Sequence, residues 1–230
     1  MNGFILQVKA RRRRGARSYA DPCGIARALD AVGERWALLV VRELLLGPKR
    51  FTDLRAGLGA ASPNVLSQRL RELEAAGVVR RRKAGPAVYE LTEWGRELHP
   101  LLLQLGRWGA RSCARPAGTL GVDALMIALE FTFVPERAAG LRARYDLRLG
   151  ENRFVVELEQ ETIAITRGTP RQADAVIETD PATLRALVFG DRKLAGAPVE
   201  IRGDLPLARA FFRLFARPSR AGADLGPPGR

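Results

Sequence analysis

The chain is poor in the residues from which disulfide frameworks, metal sites and catalytic triads are built. Its 230 residues include two cysteines, Cys23 and Cys113, and one histidine, His99. Two cysteines so far apart in sequence predict neither a disulfide framework nor a zinc cluster. A single histidine, distant from both thiols, gives a Cys/His or Ser/His/Asp arrangement little to build on. The sequence also has no glycine-rich phosphate loop, so we expect no enzyme activity, no metal and no cofactor.

Long apolar runs are also missing. No segment approaches the roughly 18 consecutive apolar residues of a membrane-spanning helix. The opening MNGFILQVKARRRRGAR places its apolar residues before its arginines, which is the reverse of a secretory signal. Together with the scarcity of cysteine, this order predicts a cytoplasmic protein.

Positive charge is abundant and unevenly distributed. The chain carries a formal net charge of +13 at pH 7. Residues 1–115 contain 22 lysines and arginines against 10 aspartates and glutamates, a net charge of +12. Residues 116–230 contain 16 against 15, a net charge of +1. We therefore expect the first half to meet a polyanion and the second half to have another task.

Residues 1–20 form a basic arm that we predict to be disordered. Its arginines, at positions 11–14 and 17, lack the apolar partners that would fold them into a core. Such an arm could lie along DNA phosphates, but a solvated tail or a mis-chosen start codon would give the same pattern.

Residues 21–115 show the pattern of a winged helix-turn-helix. The segment RWALLVVRELLLGP is apolar almost all round and predicts the buried central helix of a small bundle. Ser62 and Pro63 predict the start of another helix, and alternation over 78–83 and 88–91 predicts a hairpin. A long amphipathic helix, capped by Thr92, with its apolar residues over 94–108 and a kink at Pro100, would follow as a dimerisation element.

The helix that begins at Pro63 has two distinct faces. Leu66, Leu70 and Leu73 fall on one stripe and mark the core face. The opposite face is polar and suits base edges and phosphates. With the residue that caps the helix, its candidate DNA-binding residues are Ser62, Asn64, Ser67, Gln68 and Arg71. Because any exposed helix face is polar, this pattern alone does not separate DNA reading from simple solvation.

The predicted hairpin favours DNA binding. Its first strand ends in four consecutive cations, Arg80, Arg81, Arg82 and Lys83. Neighbouring residues of a strand point to opposite faces, so both faces carry charge, which is costly in a packed sheet unless a polyanion lies close by. We predict that these four residues contact DNA.

Several segments of this region resemble, in order, the HxlR-type winged-helix transcriptional regulators. They are GERW, RELLLGPKRF, LSQRLRELEAAGVV and YELTEWG, and the resemblance covers roughly residues 21–111. It implies a homodimer that binds duplex DNA at an inverted repeat, with the helix at 63–76 reading it and the wing on flanking phosphates. It also implies a cysteine near the N-terminus, matched here by Cys23, which some members use as a thiol sensor. A packing role is the alternative for Cys23, because no second thiol is nearby in sequence.

Residues 119–217 predict a separate α+β domain, and residues 218–230, rich in proline and glycine, predict a disordered tail. An apolar helix near 123–133 precedes three alternating runs, which indicate an antiparallel meander. The segments YDLRLGENRFVVELEQETIAITRG, ADAVIETDPATLRALVFG and VEIRGDLPLARAFFRLF resemble sterol-carrier-protein-like domains. That resemblance implies an apolar tunnel for a lipid or another hydrophobic ligand. The aromatic residues that would contribute to it are Phe131, Phe133, Phe154, Phe211, Phe212 and Phe215. A fully packed domain that supports dimerisation is the alternative.

Two functions of different classes are consistent with these patterns. The first is a DNA-binding transcriptional regulator whose DNA affinity responds to a hydrophobic ligand. The second is a lipid-carrier or enzyme module with a basic localising domain. A localising domain needs no groove-reading helix face, so the pattern at 63–76 favours the regulator.

Overall fold

The computed structural model describes residues 18–82, 87–112 and 118–217. Over these residues the chain forms a mixed α+β fold, as predicted. Residues 1–17 of the basic arm, Lys83, Cys113 and the 218–230 tail lie outside the described residues. No helix in the described ranges is long and apolar enough to cross a membrane.

The helices and strands divide into an N-terminal and a C-terminal part. In residues 18–112 they are α1 (Gly24–Val32), α2 (Ala37–Leu44), β1 (Lys49–Arg50), α3 (Phe51–Gly57), α4 (Pro63–Ala75), β2 (Val79–Arg82), β3 (Val88–Leu91), α5 (Glu93–Arg96) and α6 (Leu98–Gly109). In residues 118–217 they are α7 (Val122–Thr132), a 3₁₀ turn (Pro135–Ala138), β4 (Ala143–Leu149), β5 (Asn152–Glu159), β6 (Thr162–Arg167), β7 (Ala175–Thr179), α8 (Pro181–Val188), β8 (Glu200–Gly203) and α9 (Leu205–Phe211).

The N-terminal helices pack around one apolar core, which includes the leucine stripe predicted on α4. Leu66, Leu70 and Leu73 are buried there with Val40 of α2 and Leu54 of α3. A three-stranded antiparallel sheet, in the order β1-β3-β2, lies beside this core. α3 and α4 are the helix-turn-helix, and β2 and β3 are the wing.

Side-chain caps set the starts of two helices, as the sequence predicts. Ser62 Oγ accepts a hydrogen bond from Val65 N–H at 3.3 Å at the start of α4. Thr92 Oγ1 accepts one from Gly95 N–H at 3.0 Å at the start of α5. Each cap satisfies an amide that has no partner within its own helix.

The single kinked helix predicted over 94–108 is two helices in the structure. α5 ends at Arg96 and α6 begins at Leu98, so the break falls at Glu97, ahead of Pro100. The ring of Pro100 would clash with the carbonyl of Arg96, four residues earlier, and proline has no N–H to donate. The predicted helix is therefore interrupted at Glu97, whose backbone keeps right-handed helical angles (φ −61°, ψ −16°).

The C-terminal part is built on a five-stranded sheet in the order β6-β5-β4-β7-β8. β4, β5 and β6 form the predicted antiparallel meander. β7 instead pairs with β4 in parallel, and β8 pairs with β7 at the edge. The sequence pattern did not indicate the parallel pairing, because periodicity shows that a strand exists and not which strand it joins.

One face of this sheet carries the C-terminal core, which α7, α8 and α9 cover. Tyr145, Leu147 and Phe154 lie in this core with Met126 of α7 and Phe211 of α9. All five side chains are fully buried. The opposite face carries charged side chains that form ion pairs, such as that between Arg144 Nε and Glu157 Oε1 at 2.7 Å.

The phenylalanines predicted to line a tunnel pack mainly against one another and the sheet. Phe133, Phe154, Phe211 and Phe215 are buried in the core. The Phe211 ring makes edge-to-face contacts with Phe212 and Phe215, at centroid distances of 5.4 and 5.3 Å. These rings fill the layer between sheet and helices, which is the arrangement of a packed domain.

Buried ion pairs join the two parts of the chain. Lys49 Nζ, from β1, lies 2.6 Å from Glu43 Oε2 of α2 and 2.6 Å from Asp123 Oδ2 of α7. Asp123 also pairs with Arg167 of β6. The side chains of Glu43 and Asp123 are each 2% exposed. The winged helix and the C-terminal sheet therefore share a charged cluster that is largely removed from water.

Candidate nucleic-acid interface

The polar face of α4 is where the sequence predicts DNA contacts. Asn64, Gln68 and Arg71 are exposed, and Ser67 is half-buried at their edge. Ser62 is exposed too, and its hydroxyl can donate to a phosphate while its oxygen caps the helix. The structure thus brings the five predicted residues to the outer side and the N-terminal end of α4.

Hydrogen bonds order two of these side chains on the helix surface. Arg71 Nη2 donates to Gln68 Oε1 at 2.8 Å, and Gln68 Nε2 donates to Glu72 Oε1 at 2.6 Å. Contact with bases would exchange these bonds for bonds to base edges. Glutamine pairs most readily with adenine and arginine with guanine, so the pair is suited to direct readout.

Val65 is a candidate that the sequence analysis did not single out. It is an exposed apolar residue near the N-terminal end of α4. An apolar side chain in that position can contact the methyl group of thymine. The exposure of Val65 could have been predicted from the sequence, because Val65 lies outside the stripe formed by Leu66, Leu70 and Leu73.

The basic strand of the wing divides its cations between two faces, as predicted. Arg80 Nε donates to Glu90 Oε1 at 2.8 Å, and Arg82 Nε lies 4.0 Å from Glu90 Oε2. Arg81 lies on the other face, with its guanidinium 5.9 Å from the centroid of the Tyr89 ring. Glu90 offsets part of the repulsion between the arginines, so the hairpin can pack without a polyanion.

Arg50 is a second candidate that the sequence analysis missed. It is exposed and lies opposite Val88, which in turn lies opposite Arg82 on the far strand. The two arginines therefore flank the central strand of the wing sheet in one row, an arrangement suited to phosphates. Strand register creates this row, and register is not visible in the local sequence. Lys83 lies outside the described residues, so its contact with DNA stays a prediction.

α6 carries a stripe of exposed apolar side chains. Leu101, Leu105 and Trp108, spaced by four and three residues, are 63%, 47% and 75% exposed. Leu98 and Leu102 of the same helix pack against the N-terminal core, so the exposed stripe is additional to that core. Contiguous apolar surface of this kind is typical of a protein interaction site.

Cys23 is exposed, outside any disulfide, and occupies the N-cap position of α1. Its backbone N–H donates to Asp21 Oδ1 at 2.8 Å. The exposure of the side chain argues against the packing role and leaves the thiol accessible. A function as a thiol sensor stays a prediction.

A helix-turn-helix whose second helix exposes a polar face, followed by a basic two-stranded wing, defines the winged-helix class of DNA-binding proteins. Comparison with known sequences narrows the class to one family. The model of the HxlR-like helix-turn-helix family matches residues 31–116. The chain belongs to this family.

Several HTH-type transcriptional regulators are similar over the same region. YvaP of Bacillus subtilis is 40% identical over 86 residues, which are 36% of this chain and 80% of YvaP. YybR of the same organism is 37% identical over 93 residues, which are 39% of this chain and 74% of YybR. The regulator Rv3095 of Mycobacterium tuberculosis is 42% identical over 98 residues, or 41% of this chain. The matched region spans 61% of the length of that mycobacterial relative.

Among solved structures, the HTH-type transcriptional regulator ytcD has a crystal structure, and its sequence is 34% identical to this chain. It covers 38% of this chain and 94% of its own, with a TM-score of 0.37. The family match ends at residue 116. The resemblance of residues 119–217 to sterol-carrier-protein-like domains therefore stays a prediction.

Proposed function

We propose that this protein is a homodimeric, cytoplasmic transcriptional regulator that binds duplex DNA at an inverted repeat. The observation that carries the proposal is the exposed polar face of α4 beside a basic wing. In a winged helix, the second helix of the helix-turn-helix enters the major groove while neighbouring elements contact phosphates. Transcriptional regulation, the function in the names of YvaP and YybR, supports the same conclusion.

The proposed contacts fall into two classes. Gln68 and Arg71 read base edges, because their side chains are exposed on α4 and suited to bidentate bonds. Arg50, Arg81 and Arg82 bind phosphates, because they lie on the wing sheet, where charge is the main recognition element.

The apolar stripe on α6 supports the homodimer. A two-fold axis near this helix would pair Leu101, Leu105 and Trp108 with the same surface of a second copy, removing them from water. The same axis would set the separation of the two α4 helices. Successive major grooves on one side of a duplex are about 34 Å apart, which fixes the separation required for an inverted repeat.

The alternative, a lipid-carrier or enzyme module with a basic localising domain, has less support. A localising domain requires net charge alone. The hydrogen-bonded Gln68–Arg71 pair and the row formed by Arg50 and Arg82 are further features that a localising domain would not need.

Two kinds of substitution are expected to separate base contacts from phosphate contacts. Arg71→Ala and Gln68→Ala should each weaken binding to the preferred duplex by about 1–3 kcal/mol and relax sequence preference. Arg81→Ala should weaken binding to all duplexes about equally and reduce the slope of log K against log salt by about 2, because the dimer carries two copies of the residue. Titrations of a duplex selected from a random pool, and of random duplex, at several salt concentrations measure both effects.

Arg185→Ala is the matched control, since this arginine is exposed on α8 in the C-terminal part and should change neither quantity. Equal losses on the selected and the random duplex for every variant would show that α4 does not read bases.

We propose further that the C-terminal part binds a hydrophobic ligand that changes DNA affinity. A surface cleft of about 770 Å³ lies between the end of α8 and the last described residues. Leu187, Val188 and Phe212 contribute apolar lining, and Arg137 and Arg213 contribute positive charge. This combination suits a hydrophobic molecule that carries an acidic group.

A fluorescent fatty acid is expected to bind the full chain saturably and to bind an Arg213→Gln variant more weakly. Arg209→Gln, which changes an exposed arginine of α9 outside the cleft lining, is the matched control. If occupancy regulates DNA binding, DNA must change ligand affinity by the same factor as ligand changes DNA affinity, typically about 5–150-fold. Absence of saturable binding would contradict the proposed ligand site. Identical ligand affinities with and without DNA would show that the protein binds the ligand but that binding is not coupled to DNA.

A further inference from the structure

α6 of the N-terminal part and α7 of the C-terminal part make specific contacts with each other, and this region of contact is called the joint below. Arg107 Nε, on α6, donates to the carbonyl oxygen of Phe131 at 3.0 Å. A Cβ atom on Gly106 would lie 2.5 Å from the Phe131 ring, so only glycine allows α6 this close to α7. Gly106 therefore allows the two helices to approach closely, and Arg107 ties α6 to the backbone of α7.

His99 and Glu130 face each other across this joint. His99 Nε2 lies 2.5 Å from Glu130 Oε2. The Glu130 side chain is 5% exposed, and α7 is buried along most of its length. A carboxylate removed from water needs a charged or hydrogen-bonding partner, and His99 is the partner that the structure provides.

We propose that His99 and Glu130 form a proton-dependent link between the winged helix and the C-terminal sheet, closed when the His99 imidazole carries its second proton. His99 is the only histidine in the chain, and histidine is the side chain whose charge ordinarily changes between pH 5 and 8. The link needs neither DNA nor a ligand, so it does not depend on the proposed regulatory function.

Apart from Glu130, the charged groups on the helices packed against α6 pair with groups other than His99 or lie in solvent. They are Asp123 and Glu130 on α7, Arg42 and Glu43 on α2, Glu93 and Arg96 on α5, and Glu97 between α5 and α6. Arg42 pairs with Glu43 at 2.8 Å, and Asp123 pairs with Lys49. Glu93, Arg96 and Glu97 are exposed.

Among these groups, Glu130 is the one that changes the proton affinity of His99. Its hydrogen bond raises the pKa of His99 above the ordinary value of 6.5, partial burial opposes the rise, and the negative charge of Glu130 adds to it. A histidine with a raised pKa stabilises the closed joint fully below pH 6.5, and this stabilisation is lost as the pH rises through the raised pKa. The joint is therefore tight in mild acid and looser above the pKa of His99.

The first test is a proton NMR titration of the full chain, in which one histidine gives one set of imidazole signals. The pKa of His99 is expected above 6.5 in the wild type and lower in E130Q. E97Q, which neutralises an exposed carboxylate close to His99 in sequence, is the matched control and should titrate like the wild type. A wild-type pKa at or below 6.5, or equal values in the wild type and E130Q, would overturn the proposal.

The second test is amide hydrogen exchange in α7, read by mass spectrometry from mildly acidic to mildly alkaline pH and corrected for intrinsic exchange. In the wild type, the protection of α7 amides from exchange should fall as the pH rises. The factor of this fall should equal the ratio of the acid dissociation constants of His99 in the open and the closed joint. The ordinary histidine pKa of 6.5 supplies the constant for the open joint, in which the imidazole is hydrated. H99Q keeps a hydrogen-bonding side chain without a titrating imidazole, so its protection should not follow pH. The same fall in H99Q would assign the response to other groups and overturn the proposal.

Discussion

A Trp108→Glu variant is expected to be monomeric and to lose about 10²–10⁴-fold in affinity for a duplex that carries both half-sites. Trp108 is 75% exposed and lies on the apolar stripe of α6, where a carboxylate would face apolar surface of the second copy in the proposed homodimer. Loss of the dimer leaves each winged helix to bind its half-site alone. Sedimentation velocity at micromolar concentration and titrations with one or two half-sites measure the two effects.

Leu205→Glu is the matched control for this variant. Leu205 is also an exposed apolar residue, but it lies on α9 in the C-terminal part, so this variant should remain dimeric. Affinity for a single half-site should be nearly the same in both variants. A dimeric Trp108→Glu protein would place the interface elsewhere than α6.

Replacement of Lys49 by methionine is expected to lower the free energy of unfolding by about 3 kcal/mol. Lys49 lies between two buried carboxylates, those of Glu43 and Asp123, and its removal leaves both with less compensating charge. The three tryptophans, Trp36, Trp94 and Trp108, all lie in the N-terminal part. Urea unfolding followed by tryptophan fluorescence therefore reports on the winged helix, and far-ultraviolet circular dichroism reports on the whole chain.

Arg202→Met provides the comparison with an exposed ion pair. Arg202 Nη2 lies 3.0 Å from Glu178 Oε2, and the two side chains are 53% and 38% exposed. Loss of this pair should cost at most about 1 kcal/mol. A similar small loss for Lys49→Met would mean that the buried cluster adds little to the attachment of the two parts.

Local sequence predicted the elements of the winged helix well. Ser62 and Thr92 cap helices where the sequence places them, because a cap depends on residues three positions apart. The buried stripe of Leu66, Leu70 and Leu73 follows from helical periodicity alone. The polar face opposite that stripe was predictable for the same reason, since one face of a surface helix determines the other.

Pairing between distant segments was not predictable in the same way. Residue types alone place Lys49 with the basic surface, yet its side chain pairs with buried Glu43 and Asp123 while Arg50 is exposed. Neighbouring strand residues point to opposite faces, and Lys49 shares its face with Tyr89, which packs against the N-terminal core, while Arg50 shares the other face with Val88. Arg50 and Arg82 lie in one row across β3 because of the register in which β1 and β2 pair with that strand, which the local sequence does not show.

The sequence by itself determined the class of the protein, the helix starts, the polar face of α4 and the concentration of positive charge in the first half. These properties follow from residues close together in the chain. The tertiary structure decided that β7 lies parallel to β4, that Lys49 pairs with buried Asp123 and that His99 meets Glu130. Glu130 lies 31 residues beyond His99, and contacts over such separations depend on how the whole chain packs.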